Sequence, residues 1–312
     1  MDVSVIICTY NRYRSLRQTL FSFCDLELPA HVTWELLVVD NNSTDDTRRV
    51  CESFIPKLPI RFLFEPRQGV NCAKNRGIAA ATAPLMLLTD DDVNVDRHWL
   101  AALWDAAQRH PNISFFGGRI YPLWERTPPT WLAEHSKTML RPIAVHLDLG
   151  SEERVLTEPH PVLWGANLAF RKSVFDSYRF REDVGRIGQN EVRGGETELI
   201  ARLLREGHRR AYVPKAIVHH RNPPHRATER YLFAHYRGSG ITEVRVNRFP
   251  AAHPWFGAPP YCWSKLLRNG LKYAAARWTR PSNIWLPALI ETARAWGMIT
   301  ELRRVDSSSE NR

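Results

Sequence analysis

Residues 85–92 read LMLLTDDD, so an apolar run of strand length ends almost directly in three neighbouring carboxylates. The run at 85–88 is typical of a strand that is buried on both faces of a sheet. Asp90, Asp91 and Asp92 repel one another unless water or a cation neutralises them. At the end of a buried strand a divalent cation is the favoured neutraliser, and hard oxygen ligands suit Mg²⁺ or Mn²⁺. The competing interpretation is a solvated acidic loop that caps the next helix.

Short apolar runs and helical patterns alternate on either side of this stretch. Further strands are predicted at 3–8, 35–39, 60–64 and 113–116. Helices are predicted between them from apolar residues at helical spacing, namely Leu16, Leu20 and Phe23, the alanine-rich stretch 69–81, and Trp99, Leu100 and Leu103. This alternation predicts an α/β fold with a mainly parallel sheet that helices cover on both faces.

The second half of the chain carries weaker patterns. A helix is predicted at 197–206 and a short strand around Tyr212. Beyond residue 222 the pattern becomes helical, basic and rich in aromatic side chains. We therefore predict an α/β domain at 1–222 and a basic helical extension at 223–312.

Polar residues follow three of the predicted strands. Thr9, Tyr10 and Asn11 come directly after the first strand, Asp40 ends the second, and Asp90 begins the acidic triplet. Ligands of parallel sheets bind outside the carboxyl ends of the strands, so we expect these side chains to gather at one edge. A carboxylate such as Asp40 can accept hydrogen bonds from a nucleobase or a ribose. It can equally cap the helix that follows, because Ser, Thr and Asp residues come next.

Composition narrows the class of protein. The 312 residues, 44% of them hydrophobic, suit one large globular domain or one domain with an appendage. No apolar run approaches the ~20 residues that span a bilayer and no secretory signal pattern is present, so we expect a cytoplasmic protein. The five scattered cysteines argue against a zinc ribbon or a disulfide framework. The net charge of +10 suits anionic partners such as nucleotide phosphates or lipid headgroups, whereas no motif for nucleic acid accompanies it.

Several well-known motifs are absent from the sequence. No GxGxxG follows the first strand, which argues against a nicotinamide dinucleotide site. The sequence has neither a GxxxxGK[ST] P-loop nor a GxSxG nucleophile elbow. These absences exclude three common uses of an α/β sheet.

Six segments together resemble glycosyltransferase family 2, the inverting sugar transferases with the GT-A fold. They are VSVIICTYNR at 3–12, WELLVVDNNSTDDT at 34–47, GVNCAKNRGI at 69–78, LTDDDVNVDRHWL at 88–100, VLWGANLAFRKSVF at 162–175 and YVPKAIVHH at 212–220. The segments occur in the family's order over about the first two thirds of the chain. The resemblance implies a nucleotide diphosphate sugar as the donor and Mn²⁺ or Mg²⁺ as the cofactor.

The resemblance also implies roles for individual residues. The donor nucleotide would contact a set of residues from the first, second, third and fourth segments, namely Thr9, Tyr10, Asn11, Asp40, Lys74, Asn75, Asp90 and Asp91. The metal would be held by Asp92 with Asp90, and His220 would be a third ligand or a diphosphate contact. Trp164, Gly165 and Asn167 would lie beneath the donor sugar and the acceptor. Lys74 departs from the pattern, since the family often has Arg there.

The general base of the family is an acid just before or within the start of a helix, and here the sequence departs from the pattern. Aligned on Thr197, Glu196 takes the position of the base and Gly195 replaces the acid that usually precedes it. Either carboxylate type can deprotonate a hydroxyl, although Glu reaches further than Asp by one methylene. Glu198 is the alternative base. A third interpretation of Glu196 is an acid that the helix dipole favours at this position.

These roles imply a metal-dependent, hexosyl-type transferase that acts in polysaccharide or glycoconjugate synthesis by single displacement. Two alternatives remain. A sugar nucleotidyltransferase usually needs a glycine-rich basic loop after the first strand, which this sequence lacks. A catalytically degenerate protein that binds glycan or nucleic acid is suggested by Gly195 and Lys74.

The C-terminal extension suits one of two environments. Trp263, Leu266, Leu267 and Leu271 recur at helical spacing with Lys265, Arg268 and Lys272 between them, and Trp278, Trp285 and Trp296 follow. A basic helix that bears Trp suits the surface of an anionic membrane at the inner face of the cell, and the acceptor would then be lipid-linked. The alternative is ordinary packing of terminal helices.

Overall fold

A computed structural model describes residues 1–157, 163–187, 192, 194–247 and 256–309, with side chains as far as 305. The strands are β1 Val3–Thr9, β2 Trp34–Asp40, β3 Ile60–Phe64, β4 Leu85–Thr89, β5 Val93–Val95, β6 Phe115–Trp124, β7 Arg154–Leu156, β8 Leu168–Arg171 and β9 Arg210–Asn222. The helices are α1 Tyr13–Phe23, α2 Thr47–Phe54, α3 Val70–Ala80, α4 Trp99–Arg109, α5 Thr130–His135, α6 Arg141–Ala144, α7 Val174–Ser177, α8 Gly195–Arg205, α9 Glu229–Asn247, α10 Pro260–Ala276 and α11 Ser282–Ser309.

The strands form one mixed sheet in the order β3-β2-β1-β4-β8-β6-β9-β5, and β7 also pairs with β9. The first four strands of this order are parallel. Strand β8 runs antiparallel to β4 and β6, whereas β6 and β9 are parallel. The α/β class with a mainly parallel sheet is therefore confirmed, and an antiparallel strand joins its two parallel parts.

The core explains why the first strands are so apolar. Strands β1, β2 and β4 are buried along nearly their whole length. Helix α1 buries Leu16, Leu20 and Phe23, which share one face because they are four and three residues apart. Helix α3 lies close against β1, since a Cβ added at Gly77 would be 2.6 Å from Cγ2 of Ile6. The residue at this point of α3 has to be small.

Strand β9 is longer than the short strand that the sequence predicts around Tyr212. It runs for 13 residues and pairs with β6, which itself extends beyond the predicted end at 116 to Trp124. Pro214 and the register shift of β6 between Gly118 and Arg119 interrupt the regular pattern that would have revealed one long pair. The extension brings residues 217–222 to the start of β5.

The chain forms two compact units. The first comprises residues 1–127, 135–182 and 195–223, and the second the described residues of 128–134, 183–194 and 224–312. The predicted boundary at residue 222, between an α/β domain and a helical extension, stays a prediction, because the two compact units do not test it.

The second unit is built around three long helices. Helices α9 and α11 cross closely, since a Cβ added at Gly240 would be 2.1 Å from the carbonyl oxygen of Arg294. Val244, Met298 and Leu302 belong to its apolar core. Within the described residues, no helix combines the length and the apolar character that a membrane span requires.

Candidate active site

Two carboxylates and one imidazole converge at the carboxyl end of β4. One ligand atom from each of Asp90, Asp92 and His220 lies within 4.8 Å of those from the other two. Asp90 and Asp92 belong to the tight turn between β4 and β5, and the pairing of Val93 with His220 brings the imidazole beside that turn. Nε2 of His220 lies 3.2 Å from Oδ1 of Asp92. The three side chains present the mixture of hard oxygens and one nitrogen that a divalent cation can use.

The charge at this edge is only partly compensated. Burial and then Asp92 raise the pKa of Asp90 to about 6, although Lys74 acts in the opposite direction. A carboxyl whose pKa is raised by burial and by a like charge is typical of a functional site. It becomes fully ionised only when a cation or a rise in pH favours the charged form.

Arg12 is part of the site, and the sequence analysis did not assign it a role. Its guanidinium group donates one hydrogen bond to Oδ1 of Asp91 at 2.7 Å and another to Oδ2 of Asp92 at 2.8 Å. Asp91 raises the pKa of Arg12 most strongly. Burial acts in the opposite direction, but Asp92 raises the pKa as well, so the guanidinium group stays charged. Arg12 therefore fixes the orientation of Asp92 while the other oxygen of that carboxylate faces His220. The sequence signal for this role is the position of Arg12 directly after the polar residues that follow β1.

Arg221 is a second cation that the sequence analysis missed. Its buried guanidinium group donates to the carbonyl oxygens of Ser15 and Val93, both at 2.7 Å, and to Oγ1 of Thr19 at 2.8 Å. Burial lowers the pKa of this guanidinium group from its ordinary value. The side chain ties α1, β5 and β9 together immediately behind the acidic turn.

Thr9 and Asp91 form a cross-link between β1 and the acidic turn. Oγ1 of Thr9 donates to Oδ2 of Asp91 at 2.7 Å, and the other oxygen of Asp91 accepts from Arg12. Both residues are buried. The carboxylate of Asp91 is thus turned toward β1, and the arrangement gives no support to its expected contact with the donor.

Asn11 and Asp40 lie at the neighbouring strand ends. Asp40 pairs with Thr9 in the register of β1 and β2, as the strand-end argument expects. Its Oδ1 accepts a hydrogen bond from the backbone N–H of Ser43 at 3.0 Å, so it also organises the turn before α2. Asn11 has a positive φ of 51° and accepts from the N–H of Thr44 at 2.8 Å. Tyr10, directly before Asn11, is partly exposed.

Lys74 and Glu196 form an ion pair beside the acidic turn. Nζ of Lys74 contacts Oε1 of Glu196, and both side chains are mostly buried. Burial lowers the pKa of Lys74, but Glu196 and Asp90 outweigh this effect and raise it above 10.5. Two of the departures from the family pattern, Lys74 for Arg and Glu196 for Asp, are therefore in contact. The side chain of Lys is shorter than that of Arg, the side chain of Glu is longer than that of Asp, and the two meet at this contact.

Two glycines shape the surroundings of Glu196. A Cβ added at Gly165 would lie 2.5 Å from Oε1 of Glu196, so this glycine leaves room for the carboxylate. A Cβ added at Gly195 would lie 2.5 Å from Nδ2 of Asn71, which occupies the space of the missing acid. Gly165, a predicted site residue, and Gly195, which replaces the family's usual acid, thus both lie next to the candidate base Glu196.

Glu198 lies in a different environment from Glu196. Its Oε1 is 2.8 Å from Nε of Arg202 and 3.9 Å from Nη1 of Arg181, and its side chain is buried. This carboxylate is held in an ion-pair network at the helix surface. Glu198 thus pairs with arginine, whereas Glu196 lies beside Lys74 and the acidic turn, and the assignment of the base to one of them stays a prediction.

Two other predicted residues face the protein rather than an open site. Asn167 is fully buried, where its amide donates to the carbonyl oxygens of Arg119 and Ala216 and accepts from Nε1 of Trp99. Asn75 exchanges two hydrogen bonds with the backbone of Phe180. Expected contacts of Asn167 with an acceptor and of Asn75 with the donor therefore have no support in this arrangement.

Trp164 differs from these two asparagines. It is partly exposed and lies directly before Gly165, and the guanidinium carbon of Arg141 lies 5.8 Å from the centre of its ring. An aromatic ring at this place can stack on a sugar.

The sequence model of glycosyl transferase family 2 matches residues 4–179. This chain belongs to that family. The glucosyl-dolichyl phosphate glucuronosyltransferase of Haloferax volcanii is 25% identical over 230 residues, which are 71% of this chain and 69% of that protein. The succinoglycan biosynthesis protein ExoM of Rhizobium meliloti is 23% identical over 250 residues, 79% of this chain and 75% of that protein.

Two solved structures share the fold of this family 2 member. The mannosyltransferase PcManGT of Pyrobaculum calidifontis, solved with GDP-Man and Mn²⁺, aligns with a TM-score of 0.59 at 19% identity, over 99% of this chain and 86% of that one. TarS 1–349 of S. aureus, solved with UDP-GlcNAc, aligns with a TM-score of 0.51 at 16% identity, over 100% and 92%. The expected GT-A fold with additional C-terminal helices is confirmed.

Proposed function

We propose that this member of family 2 is an inverting, metal-dependent glycosyltransferase that moves a hexosyl-type sugar from a nucleotide diphosphate to an acceptor hydroxyl. The observation that carries the proposal is the convergence of Asp90, Asp92 and His220 at the carboxyl end of β4. In open α/β sheets this edge is where ligands bind. Two solved relatives hold GDP-Man with Mn²⁺ and UDP-GlcNAc, which makes the same donor chemistry the first to test.

The residues of the cluster fit a divalent cation. Two carboxylates supply hard oxygens, one imidazole supplies a nitrogen, and the raised pKa of Asp90 reflects negative charge that a cation would neutralise. Mn²⁺ or Mg²⁺ bound there would stabilise the charge on the departing diphosphate. Arg12 would keep Asp92 oriented for this task, since it holds one oxygen of that carboxylate.

Glu196 is the proposed general base. Its carboxylate contacts Lys74, and in its ionised form it could accept the proton of an acceptor hydroxyl. Gly165 provides the space beside it, and Trp164 would offer a ring to the sugar. Lys74 would lie between the base and the diphosphate, close to both Glu196 and Asp90. Tyr10, Asn11 and Asp40 would contact the nucleotide.

The acceptor is proposed to be a glycan or a lipid-linked sugar in polysaccharide or glycoconjugate synthesis. The enzyme is proposed to act in the cytoplasm, with peripheral contact at the inner face of the cell membrane. No particular observation in the described residues favours the degenerate binder or the nucleotidyltransferase, and the ion pair of Lys74 with Glu196 removes part of the argument for degeneracy.

The test is a screen of NDP-sugars, with release of the nucleotide diphosphate as the readout in Mn²⁺ and in EDTA. We expect one donor class to be consumed only with metal, and the anomeric configuration of any product to be inverted. Glu196→Gln should lower the rate at least 100-fold because the base is lost. Glu198→Gln, the matched control two residues away, should leave the rate per folded molecule within about threefold, because its carboxylate pairs with Arg202 and is not the proposed base. No consumption of any donor, or equal loss in both variants, would contradict the proposal.

A further inference from the structure

Helix α10 carries apolar side chains both on the side that packs inward and on an exposed side. Cys262, Trp263 and Leu266 pack inward against the apolar core of the second unit. Leu267 and Leu271, by contrast, are 64% and 71% exposed. The packing interpretation therefore accounts for one face of the helix only. Large exposed apolar side chains that lie close together mark interaction surfaces.

The outward residues form a continuous stripe. Positions 267, 271, 274 and 278 are spaced by four, three and four residues, which places them on one side of a helix. Trp278, just beyond the end of α10, is 84% exposed. Arg268 and Lys272 follow Leu267 and Leu271 and are also exposed. We call Leu267, Arg268, Leu271, Lys272 and Trp278 the outer face of α10.

Neighbouring contacts hold Trp278 in its exposed position. The guanidinium carbon of Arg277 lies 4.7 Å from the ring centre of Trp278 and 4.5 Å from that of Trp285. Trp285 is buried, and Arg277 is also paired with Glu229. Because Arg277 is anchored twice, it supports the exposed ring from behind. The exposure of Trp278 is thus built into the second unit.

The charge of this region has one sign. Residues 256–280 include five Lys and Arg and no Asp or Glu. Lys265 is 3.8 Å from Glu291, and Arg277 is paired with Glu229. Among the residues that the structure describes, no carboxylate within ion-pair distance accompanies Arg268, Lys272 or Arg280. The outer face therefore presents uncompensated positive charge next to apolar side chains.

We propose that the outer face of α10 binds the surface of an anionic lipid bilayer. Leu267 and Leu271 would enter the boundary between headgroups and acyl chains, Trp278 would lie at headgroup level, and Arg268 and Lys272 would contact lipid phosphates. A second copy of the chain fits less well, because two outer faces placed together would bring like charges into contact. The inference deepens the proposed function by naming the surface that makes the membrane contact, but its test needs no transferase activity.

The experiment is co-sedimentation of the full chain with vesicles of phosphatidylcholine alone or with about one third phosphatidylglycerol. Wild-type protein should bind the anionic vesicles, bind neutral vesicles poorly, and dissociate as salt rises. Leu271→Ser/Lys272→Gln should weaken binding about tenfold, since an inserted side chain and a charge are both lost. The matched control is Ile55→Ser/Lys57→Gln, which removes one exposed apolar and one basic residue from the first unit and should bind like wild type.

Three outcomes would overturn the assignment. They are failure of wild type to bind anionic vesicles, equal weakening in the control, and a wild-type dimer in light scattering that the Leu271→Ser/Lys272→Gln variant dissociates. Nucleotide titration with Mn²⁺ on the same samples separates the two proposals. Retained nucleotide binding without vesicle binding would remove the membrane contact and leave the proposed transferase activity intact.

Discussion

Buried carboxylates at the two ends of the parallel strands have pKa values shifted in opposite directions. At the amino ends, buried Glu35 of β2 accepts hydrogen bonds from Ser4 at 2.6 Å and from the hydroxyl of Thr82 at 2.7 Å, and it pairs with Arg61. Burial alone would raise its pKa, but these partners outweigh that effect and lower the pKa to about 2. At the carboxyl ends, burial and Asp92 raise the pKa of Asp90 to about 6.

The difference separates a structural edge of the sheet from a functional one. A carboxylate with all its partners inside the protein stabilises the fold and offers nothing to a ligand. A carboxylate crowded by others costs stability and gains from a cation that the protein does not itself contain. Substitutions at the carboxyl-end cluster should therefore affect binding, whereas substitutions at Glu35 should affect stability.

The largest effect should come from Asp90→Asn. Loss of one ligand should weaken Mn²⁺ binding by more than about 100-fold, as measured by isothermal titration. The amide preserves the shape of the side chain, so the circular dichroism spectrum should not change. Asp46→Asn, an exposed acid before α2, serves as the control for charge and should bind Mn²⁺ like wild type. Equal Mn²⁺ affinity of Asp90→Asn and wild type would break the contrast between the two edges.

Arg12→Gln should have the next largest effect. It removes the group that holds Asp92 without removing a ligand, and such changes weaken metal binding by about 10- to 100-fold. Arg12→Lys keeps the charge but cannot donate to two carboxylates in the same way, so it should restore the affinity only in part. An affinity in Arg12→Gln equal to that of wild type would show that Asp92 needs no such support.

Glu35→Gln should lower the free energy of unfolding by about 2 kcal/mol at neutral pH, measured by urea denaturation. Mn²⁺ binding by the folded variant should stay within twofold of wild type. The pKa of Glu35 is lower in the folded protein than its ordinary 4.5, so its contribution is present above about pH 4.5 and is lost as the pH falls toward 2. A stability difference that does not shrink on acidification would contradict this assignment.

The smallest effect is a gain in stability for metal-free Asp90→Asn, of about 1 kcal/mol at neutral pH. The pKa of Asp90 is higher in the folded protein than its ordinary 3.8, so the folded state loses stability as the pH rises toward about 6. The advantage of the variant should accordingly be absent near pH 4 and complete above pH 6. A destabilised variant at neutral pH would show that Asp90 is a structural acid like Glu35.

The parts of this account that could be predicted from sequence are those with a regular signal. Asp40 and the acidic triplet follow apolar runs, and the fixed geometry of parallel strands brings such ends together. Arg12, just after β1, and Arg221, within β9, were missed because a single basic residue carries no periodic signal and its partners are distant in sequence. The expected acceptor contact of Asn167 stays a prediction, and its position in a motif does not reveal that Trp99 and two backbone carbonyls use its amide.

The central claim is that the carboxyl edge of the sheet holds a cation together with a nucleotide diphosphate. The most direct measurement is isothermal titration of UDP, GDP and dTDP into the protein with Mn²⁺ or with EDTA, repeated on Asp92→Ala. We predict that one nucleotide binds with Mn²⁺, that EDTA abolishes the binding, and that Asp92→Ala does the same while remaining folded. Failure of a folded wild-type protein to bind any of the three with Mn²⁺, or undiminished binding by Asp92→Ala, would contradict the account.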